Sequence, residues 1–462
     1  MADQRPIEEQ VGTPGCLGCK ALGDLYRKLD QRVKDLEDRL NANSSNSSKA
    51  PSSDPFTPRY HPKKPTGKRP GGQPGHQGFG RTLLPVGEVD RVIEHRPAVC
   101  PACQCPLSPG GMTLARRHQV TELPTRAVVI TEHQAYAWLC SCGCRTAAPI
   151  PPEAARSCIG PRLSAAVCYL SAHVHGSRRA VEDVLGELLG APVSLGKVSN
   201  IEREMTGALA GAYGEIQKQV QIAPVKNVDE TGWKRAGKWL WAAVTPVAAL
   251  FRIDRGRNWH ALQSLLGSKV QGIVTSDRCG LYNHLKTHRR GICWAHLKRD
   301  FQRLVDRGGT GKAPGEQGLR IIHDLFENWR RFKKGELDRT GLAEAMGSPR
   351  ERFGQLLIRM TDSGKGKVRR LAMNLRRLEP ALWTFVTEQG VEPTNNAAER
   401  ALRPGVIWRK TSFGSHSQRG CRYAETMMTV LHTLRLKGQC VLNFLTDALT
   451  THRLTPPPTA NR

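Results

Sequence analysis

Apolar residues recur along this chain in several rhythms, and each change of rhythm marks a part. Leu22, Tyr26, Leu29, Val33, Leu36 and Leu40 follow a 4-3 spacing with Lys, Asp, Arg and Glu between them. That stripe predicts a short coiled coil over 20–41, with an amphipathic helix folded onto the body as the alternative. Over 42–85 no rhythm holds. NANSSNSSKAPSSD is rich in Ser and Asn, and PKKPTGKRPGGQPGHQGFGR combines Pro, Gly and basic residues. Such a composition cannot bury enough apolar surface to fold alone. Within 90–152, the β-branched and aromatic content of RHQVTEL and AVVITEHQAYAW predicts strands.

Over 160–222 the period becomes helical. Ala180 to Leu189 reads as an amphipathic helix closed at Gly190, and Ser194 caps a second helix through VSNIEREM. Two helices across a short turn resemble a helix-turn-helix, and an ordinary helical hairpin fits as well. From Val225 the period drops to two. VKNVD, WLWAAVTPV and ALFRID predict three strands, NWHALQSLL a helix and GIVTSD a further strand. Residues from about 301 to 390 read as helical, charged and Gly-broken, and TNNAAERALRPGVIWRK opens a last helical segment. The expected fold class is multidomain α+β: a coiled coil, a β-rich unit, a helical region, and an α/β core over 225–450 with a helical insertion.

Charge suggests the partner. The chain has 69 Lys and Arg against 41 Asp and Glu, a formal net charge of +28. That imbalance favours a polyanion, because each phosphate neutralised releases a condensed counterion. Acidic lipid is the competitor, but no apolar run approaches the ~18 residues that span a bilayer. Trp239 to Phe251 is short and interrupted by Thr245 and Pro246, and MADQRPIEEQ lacks the apolar stretch of a secretory signal. Nucleic acid is therefore the expected partner and no membrane is. Lys63, Lys64, Lys68 and Arg69 form a basic arm suited to DNA phosphates, with a passive linker as the alternative.

Of the fourteen cysteines, eight sit in three tight clusters. In a reducing compartment clustered thiols favour metal. Cys100 and Cys103 have C-x2-C spacing with Cys105 just beyond, and Cys140, Cys142 and Cys144 follow. Paired thiolates on two tight turns can close a tetrahedral Zn2+ site and stabilise a unit without a large core. Cys100, Cys103, Cys140 and Cys142 are the favoured ligands, leaving Cys105 and Cys144 spare. Cys16 and Cys19 read either as two ordinary thiols or as half of a site shared across a dimer. The other six, such as Cys168 and Cys440, are expected to be small buried apolar residues.

Three acids carry the candidate chemistry. Asp229 ends VKNVD and begins the turn ETGW, Asp277 ends GIVTSD, and Glu399 lies on the helix TNNAAERALR. Cleaving or joining a phosphodiester needs an activated oxygen in line with a leaving oxygen, which two divalent ions about 3.5–4 Å apart stabilise. Hard Mg2+ takes carboxylate oxygens and keeps several waters, and bound cations offset the mutual repulsion of packed acids. Each acid alone has an ordinary reading: a turn former or cap for either Asp, a solvated helix residue for the Glu. The sequence around each acid decides between the readings.

VDETGWK, TSDRCGLYN, CWAHLKRDF and PTNNAAERALRP…WRK…FGS…RG resemble the signature blocks of the insertion-sequence-66 family of bacterial transposases. NSSNSSKAPSSD and GKRPGGQPGHQG resemble that family's linker and CPAC…LCSC its zinc-binding segment, in order from about Leu22 to Leu445. The resemblance implies a DDE transposase with an RNase H-like core, in which Asp229, Asp277 and Glu399 hold two Mg2+ (or Mn2+) and the segment between the last two acids is a helical insertion. It also implies terminal inverted repeats and target DNA as partners. A homodimer or higher oligomer, small accessory proteins from the same element, and a cytoplasmic, nucleoid-associated place in a bacterium follow likewise. The C-x-C-x-C form of the second cysteine cluster departs from the pattern and leaves the ligand register open.

Around these acids, Asn395 and Asn396 share a helical face with Glu399 and could orient it, hold phosphate or cap the helix. His296 could contact the scissile phosphate or be a core histidine. Arg400, Arg403, Arg409 and Lys410 form a basic surface beside the site. Two other functions fit the same sequence: a non-catalytic zinc-containing DNA-binding regulator, and an RNase H-like nuclease without strand transfer.

Overall fold

A computed structural model describes residues 17–43, 45–47, 82–107, 113–124, 127–233 and 237–454. The basic arm, with Lys63, Lys64, Lys68 and Arg69, and Cys16 lie outside the described residues. The chain divides into two compact units, Phe56–Val129 and Met1–Pro55 with Ile130–Arg462. That boundary crosses the expected zinc segment, leaving Cys100 and Cys103 in one unit and Cys140 and Cys142 in the other.

In the smaller unit, Leu84 is pinned through its N–H and C=O to the side-chain amide of Gln119, and Cys100 begins a tight turn. RHQVTEL forms no ladder among the described residues. Val120 is 80% exposed. Strand propensity expresses itself only against a partner strand and a buried face, and this stretch has neither.

The larger unit opens with α1 (Leu17–Leu40), and then β1 (Ala137–Leu139) and β2 (Arg145–Ala147) form an antiparallel hairpin. Only the end of AVVITEHQAYAW enters this hairpin, so the expected β-rich unit reduces to two short strands. The apolar stripe of α1 faces solvent, with Leu29 60% and Leu40 83% exposed. Its contacts with the body run through Asp35 and Asp38 instead.

Five helices precede the main sheet: α2 (Pro152–Ala155), α3 (Pro161–Ala172), α4 (Arg178–Leu189), α5 (Leu195–Ala208) and α6 (Ala210–Ile222). The α4–α5 pair follows its sequence signals. Gly190, at φ 62°, closes α4 in the left-handed region, and Ser194 Oγ accepts from the Lys197 N–H to cap α5. An ion pair from Arg178 to the largely buried Glu202 clamps the two helices.

The sheet combines β3 (Val225–Gly232), β4 (Trp239–Val244), β5 (Ala249–Asp254), β6 (Ile273–Ser276) and β7 (Arg290–Ile292), in the order β5-β4-β3-β6-β7. β3, β4 and β5 pair antiparallel in succession, whereas β6 pairs parallel with β3 and β7 parallel with β6. α7 (Trp259–Leu266), capped by Asn258, connects β5 to β6. Burial along all but the first residue of β4 explains its unbroken apolar run. Thr245 turns the chain back, its N–H bonding the Ala248 carbonyl and its Oγ1 accepting from the Ala248 N–H, so WLWAAVTPV ends as a strand at Val244.

Between β7 and the final helices stand α8 (Trp294–Arg307), α9 (Lys312–Lys333), α10 (Arg339–Asp362), α11 (Gly366–Arg377), α12 (Glu379–Leu382) and α13 (Thr384–Thr387). They build a second core around Trp294, Phe353 and Trp383, and Trp294 Nε1 donates to the Leu382 carbonyl at 2.7 Å. The chain then returns to the sheet as α14 (Asn396–Thr411), α15 (Gln418–Leu436) and α16 (Val441–Leu454). α15 seals the edge strand β5: Glu425, Thr429 and Thr433 accept hydrogen bonds from the N–H groups of Ile253, Phe251 and Ala249. An otherwise open row of donors is thereby satisfied.

α14 lies close on β4. A Cβ at Gly405 would stand 2.4 Å from Leu240 Cδ2 and 2.9 Å from Met428 Cε. Gly405→Ala is therefore expected to cost about 1–3 kcal/mol through overpacking and to lower the melting temperature by several degrees. An unchanged thermal midpoint would show that the helix can lift without penalty.

Candidate active site

The parallel pairing of β3 with β6 sets two of the acids side by side. Asn227 is level with Thr275, and carrying that register forward by two residues brings Asp229 level with Asp277. Asp277 follows the last residue of β6, and its Oδ1 accepts from the Cys279 N–H at 2.9 Å, which fixes the carboxylate. Asp229 sits inside its strand rather than at the end expected from VKNVD. Pairing with β4 continues to Gly232, because Trp239 still offers a partner there, whereas β6 has already stopped. Beyond Asn227 the β6 side of β3 is thus free of ladder bonds, and the acids stand at that opening.

Glu399 reaches the same place from α14. Asn395 precedes the helix but makes no side-chain cap. Wholly buried, it donates from Nδ2 to the carbonyl of Val228 at 2.8 Å, and its backbone N–H donates to Cys293 Sγ at 3.2 Å. The start of α14 is thereby tied to the residue before Asp229. Asn396 opens the helix and is half-buried. One turn on, Glu399 stands 3.6 Å from His296 Nδ1 and 3.7 Å from Arg299, both on α8.

Ionisation reflects the crowding. Burial pushes the Asp229 carboxyl well above its usual range, and the charges of Glu230, Asp277 and Glu399 push it the same way. Burial also raises Glu230, against the hydrogen bond from Tyr282. Tyr282 Oη donates to one oxygen of Glu230 at 2.5 Å, and Arg257 takes the other at 2.7 Å. Sequence reasoning missed this Glu230–Tyr282–Arg257 set, as it missed Arg299. The signals were available in the second acid of VDET and the tyrosine of TSDRCGLYN, but neither spacing says which side of a strand a residue will face.

Several buried acceptors here have no hydrogen-bond partner among the described residues: Asn227 Oδ1, Asn395 Oδ1 and Glu399 Oε1. Unpaired buried oxygens beside crowded carboxylates fit a hard divalent cation, which supplies the missing positive charge. Cys293, His296 and Glu399 also bring three potential ligand atoms within 4.8 Å of one another. Burial pushes the Cys293 thiol up to about 11, and it already accepts from Asn395. A protonated thiol is a poor ligand, so the oxygen set is the better fit.

Of the basic surface, Arg400, Arg403 and Lys410 are exposed. Arg409 instead turns back to β3, donating to Thr231 Oγ1 at 2.9 Å and to the Gly232 carbonyl. Among the other cysteines, Cys168 is buried as expected, whereas Cys440 is exposed, at the foot of α16 where no core reaches it. Each clustered pair lies on its own tight turn. The Cys100 N–H bonds the Cys105 carbonyl, and the Cys140 N–H the Cys144 carbonyl, both at 2.9 Å. Backbone N–H groups lower the Cys100 thiol (from Cys103 first) and the Cys140 thiol (from Cys142 first) below their ordinary values. Such turns favour thiolates.

A family model described as the transposase IS66 family matches residues 156–423, more than half of the chain and all three acids. The chain belongs to the IS66 transposase family. A second family, of unknown function (DUF6444), matches residues 21–82. Among curated relatives of this family member, the uncharacterized protein y4qI of Sinorhizobium fredii (strain NBRC 101917 / NGR234) is 27% identical over 240 residues, covering 47% of this chain and 44% of that protein. The uncharacterized protein y4hP of the same strain is 24% identical over 404 residues, covering 78% of this chain and 72% of that protein. The match to y4qI thus spans less than half of that relative's length. No helix among the described residues is long and apolar enough to cross a membrane.

Proposed function

We propose that this family member is a DNA transposase that cleaves transposon ends and joins them to target DNA with a carboxylate site made of Asp229, Asp277 and Glu399. The observation that supports the reading is the β3–β6 register, which, carried two residues past Asn227 and Thr275, sets Asp229 level with Asp277, beside a Glu399 whose charge acts on Asp229. The sheet order, with the first strand central beside the fourth, is that of an RNase H-like core and supports the same assignment.

In this proposal the three carboxylates, with the buried amide oxygens of Asn227 and Asn395, would hold a pair of Mg2+ or Mn2+ ions. Those ions, when bound, supply positive charge to the attacking and leaving oxygens. His296 and Arg299 hold Glu399 in place from one side, and Asn395 fixes the helix that carries it. Tyr282 and Arg257 keep both oxygens of Glu230 engaged, so this fourth acid stays out of the pocket. Water attacks the phosphorus at the transposon end and gives up a proton to solvent, while the P–O3′ bond breaks and the departing oxygen takes a proton from solvent to leave a 3′-hydroxyl. That hydroxyl then attacks a target phosphodiester, forming one P–O bond as another breaks.

Cys100 with Cys103, and Cys140 with Cys142, are the thiolate pairs proposed to bind structural Zn2+. The α4–α5 pair, the arm at 63–69 and the exposed Arg400, Arg403 and Lys410 provide DNA contacts, and the α1 stripe pairs two copies.

A strand-transfer assay on oligonucleotides bearing the element's ends, with and without Mg2+, tests the reading. Metal-dependent joined product is expected. Cleavage without joining would favour a nuclease, and binding alone a regulator. Removing zinc with a selective chelator is expected to weaken end binding about tenfold or more before the thermal transition of the core moves. Unchanged end binding after verified zinc loss would refute the zinc site's role.

A further inference from the structure

A second basic feature lies beside the acids and has no part in the chemistry above. α11 carries Lys367, Arg369, Arg370, Arg376 and Arg377 and no acidic residue. Beside α11 and α8 lies a cavity of about 370 Å³ lined by Arg278, Arg303, Arg307, Lys367 and Arg370, with Asp300 and, from α1, Asp38 also in its wall. One of its lining residues, Arg278, directly follows Asp277 and is steered by Asp300 through a 2.6 Å bond.

The occupant of this cleft is acidic and comes from the same chain. Lys367 Nζ donates to Asp35 at 2.8 Å and to Asp38 at 2.6 Å, and Arg307 pairs with Asp38 at 3.2 Å. Just beyond α1, the Asn46 carbonyl accepts from Arg303 Nε at 2.8 Å. Asp35 and Asp38 are three residues apart and so share the inner face of the helix, while Glu37 and the apolar stripe face outward. Arg370 has no carboxylate partner among the described residues.

We propose that this cleft is a binding site for the phosphodiester backbone of duplex DNA, and that Asp35 and Asp38 occupy it as internal phosphate mimics until DNA displaces α1. The carboxylates present the sign of charge and the acceptor oxygens of phosphate to cations that bind either. Partly exposed ion pairs are weak and screened by salt, so α1 is a displaceable occupant. A duplex whose backbone lies over the cleft meets Arg278, the residue that follows Asp277. This inference deepens the transposase reading and rests on it.

The test measures binding of a fluorescein-labelled duplex of random sequence to the full chain by anisotropy, without divalent ions, over a salt series. Asp35→Asn with Asp38→Asn is expected to tighten binding about 5–10-fold and to steepen the salt dependence, since each added phosphate contact contributes roughly 0.9 to the logarithmic slope. Asp24→Asn with Glu37→Gln removes the same charge away from the cleft and is expected to change affinity less than about twofold. Lys367→Gln with Arg370→Gln should weaken binding, flatten the slope and abolish the gain from the aspartate changes, with melting curves verifying the fold. Equal gains from both acidic pairs, or cleft variants with unaltered affinity and slope, would overturn the proposal. Because no metal or joining is involved, those failures leave the carboxylate site standing. Loss of the joining reaction beside an intact cleft response would instead remove the catalytic reading alone.

Discussion

Replacing Asp229 with Asn is expected to lower strand joining by about three orders of magnitude or more, with binding of transposon ends preserved. In the proposed site an amide cannot stand in for the carboxylate, because the neutral group would lose the charge proposed to hold the cations. The same change is expected to stabilise the metal-free protein. Asp229 has its carboxyl raised well above the ordinary value of 3.8 by burial and by Glu230, Asp277 and Glu399. As pH rises past 3.8 the unfolded chain releases this proton while the folded chain keeps it, so the folded state binds more protons and stability falls with pH through the raised folded value. Asn at 229 removes that term. A gain of about 1 kcal/mol would raise the melting temperature by roughly 2–4 °C, most at neutral and alkaline pH. Calorimetry across pH without divalent ions, beside the joining assay, checks both halves. Retained joining would take Asp229 out of the site, and a lower melting temperature would contradict its crowding.

Asn395→Ala is expected to lower joining about 10–100-fold, the range found when a group that orients a metal ligand is removed. The variant leaves the buried Val228 carbonyl without its donor and releases the start of α14 from β3. Asp at 395 would not repair this, since the missing group is the Nδ2 donor. The distinguishing readout is metal dependence. A positioning role predicts that half-maximal joining shifts to higher Mg2+ and that saturating metal recovers part of the rate. A purely structural role would lower the melting temperature and leave the metal titration where it was.

Much of this site was legible in the chain, for reasons that can be named. VKNVD and GIVTSD announce their strands through apolar alternation, and both acids sit where parallel neighbours can align them. Gly190 and Ser194 mark the α4–α5 turn because one supplies a left-handed residue and the other a side-chain acceptor. What stayed hidden depends on partners distant in sequence. Asn395 looks like a helix cap, yet its amide bonds strand β3. Glu425, Thr429 and Thr433 look like ordinary helix residues, and only the edge of β5 shows why each needs an oxygen. Asp229 looks like a strand end until β4 extends the ladder past it. RHQVTEL fails in the opposite direction, having the composition of a strand and nothing to pair with.

The helices from α8 to α13 form a core of their own, inserted between Asp277 and Glu399. During synthesis, which releases a chain N-terminus first, both aspartates and the basic surfaces upstream leave the ribosome well before α14. A nascent polypeptide therefore carries Asp229 and Asp277 before Glu399 exists to join them. In the proposed reading, the three-carboxylate site is complete only after the insertion and the first turn of α14 have been made.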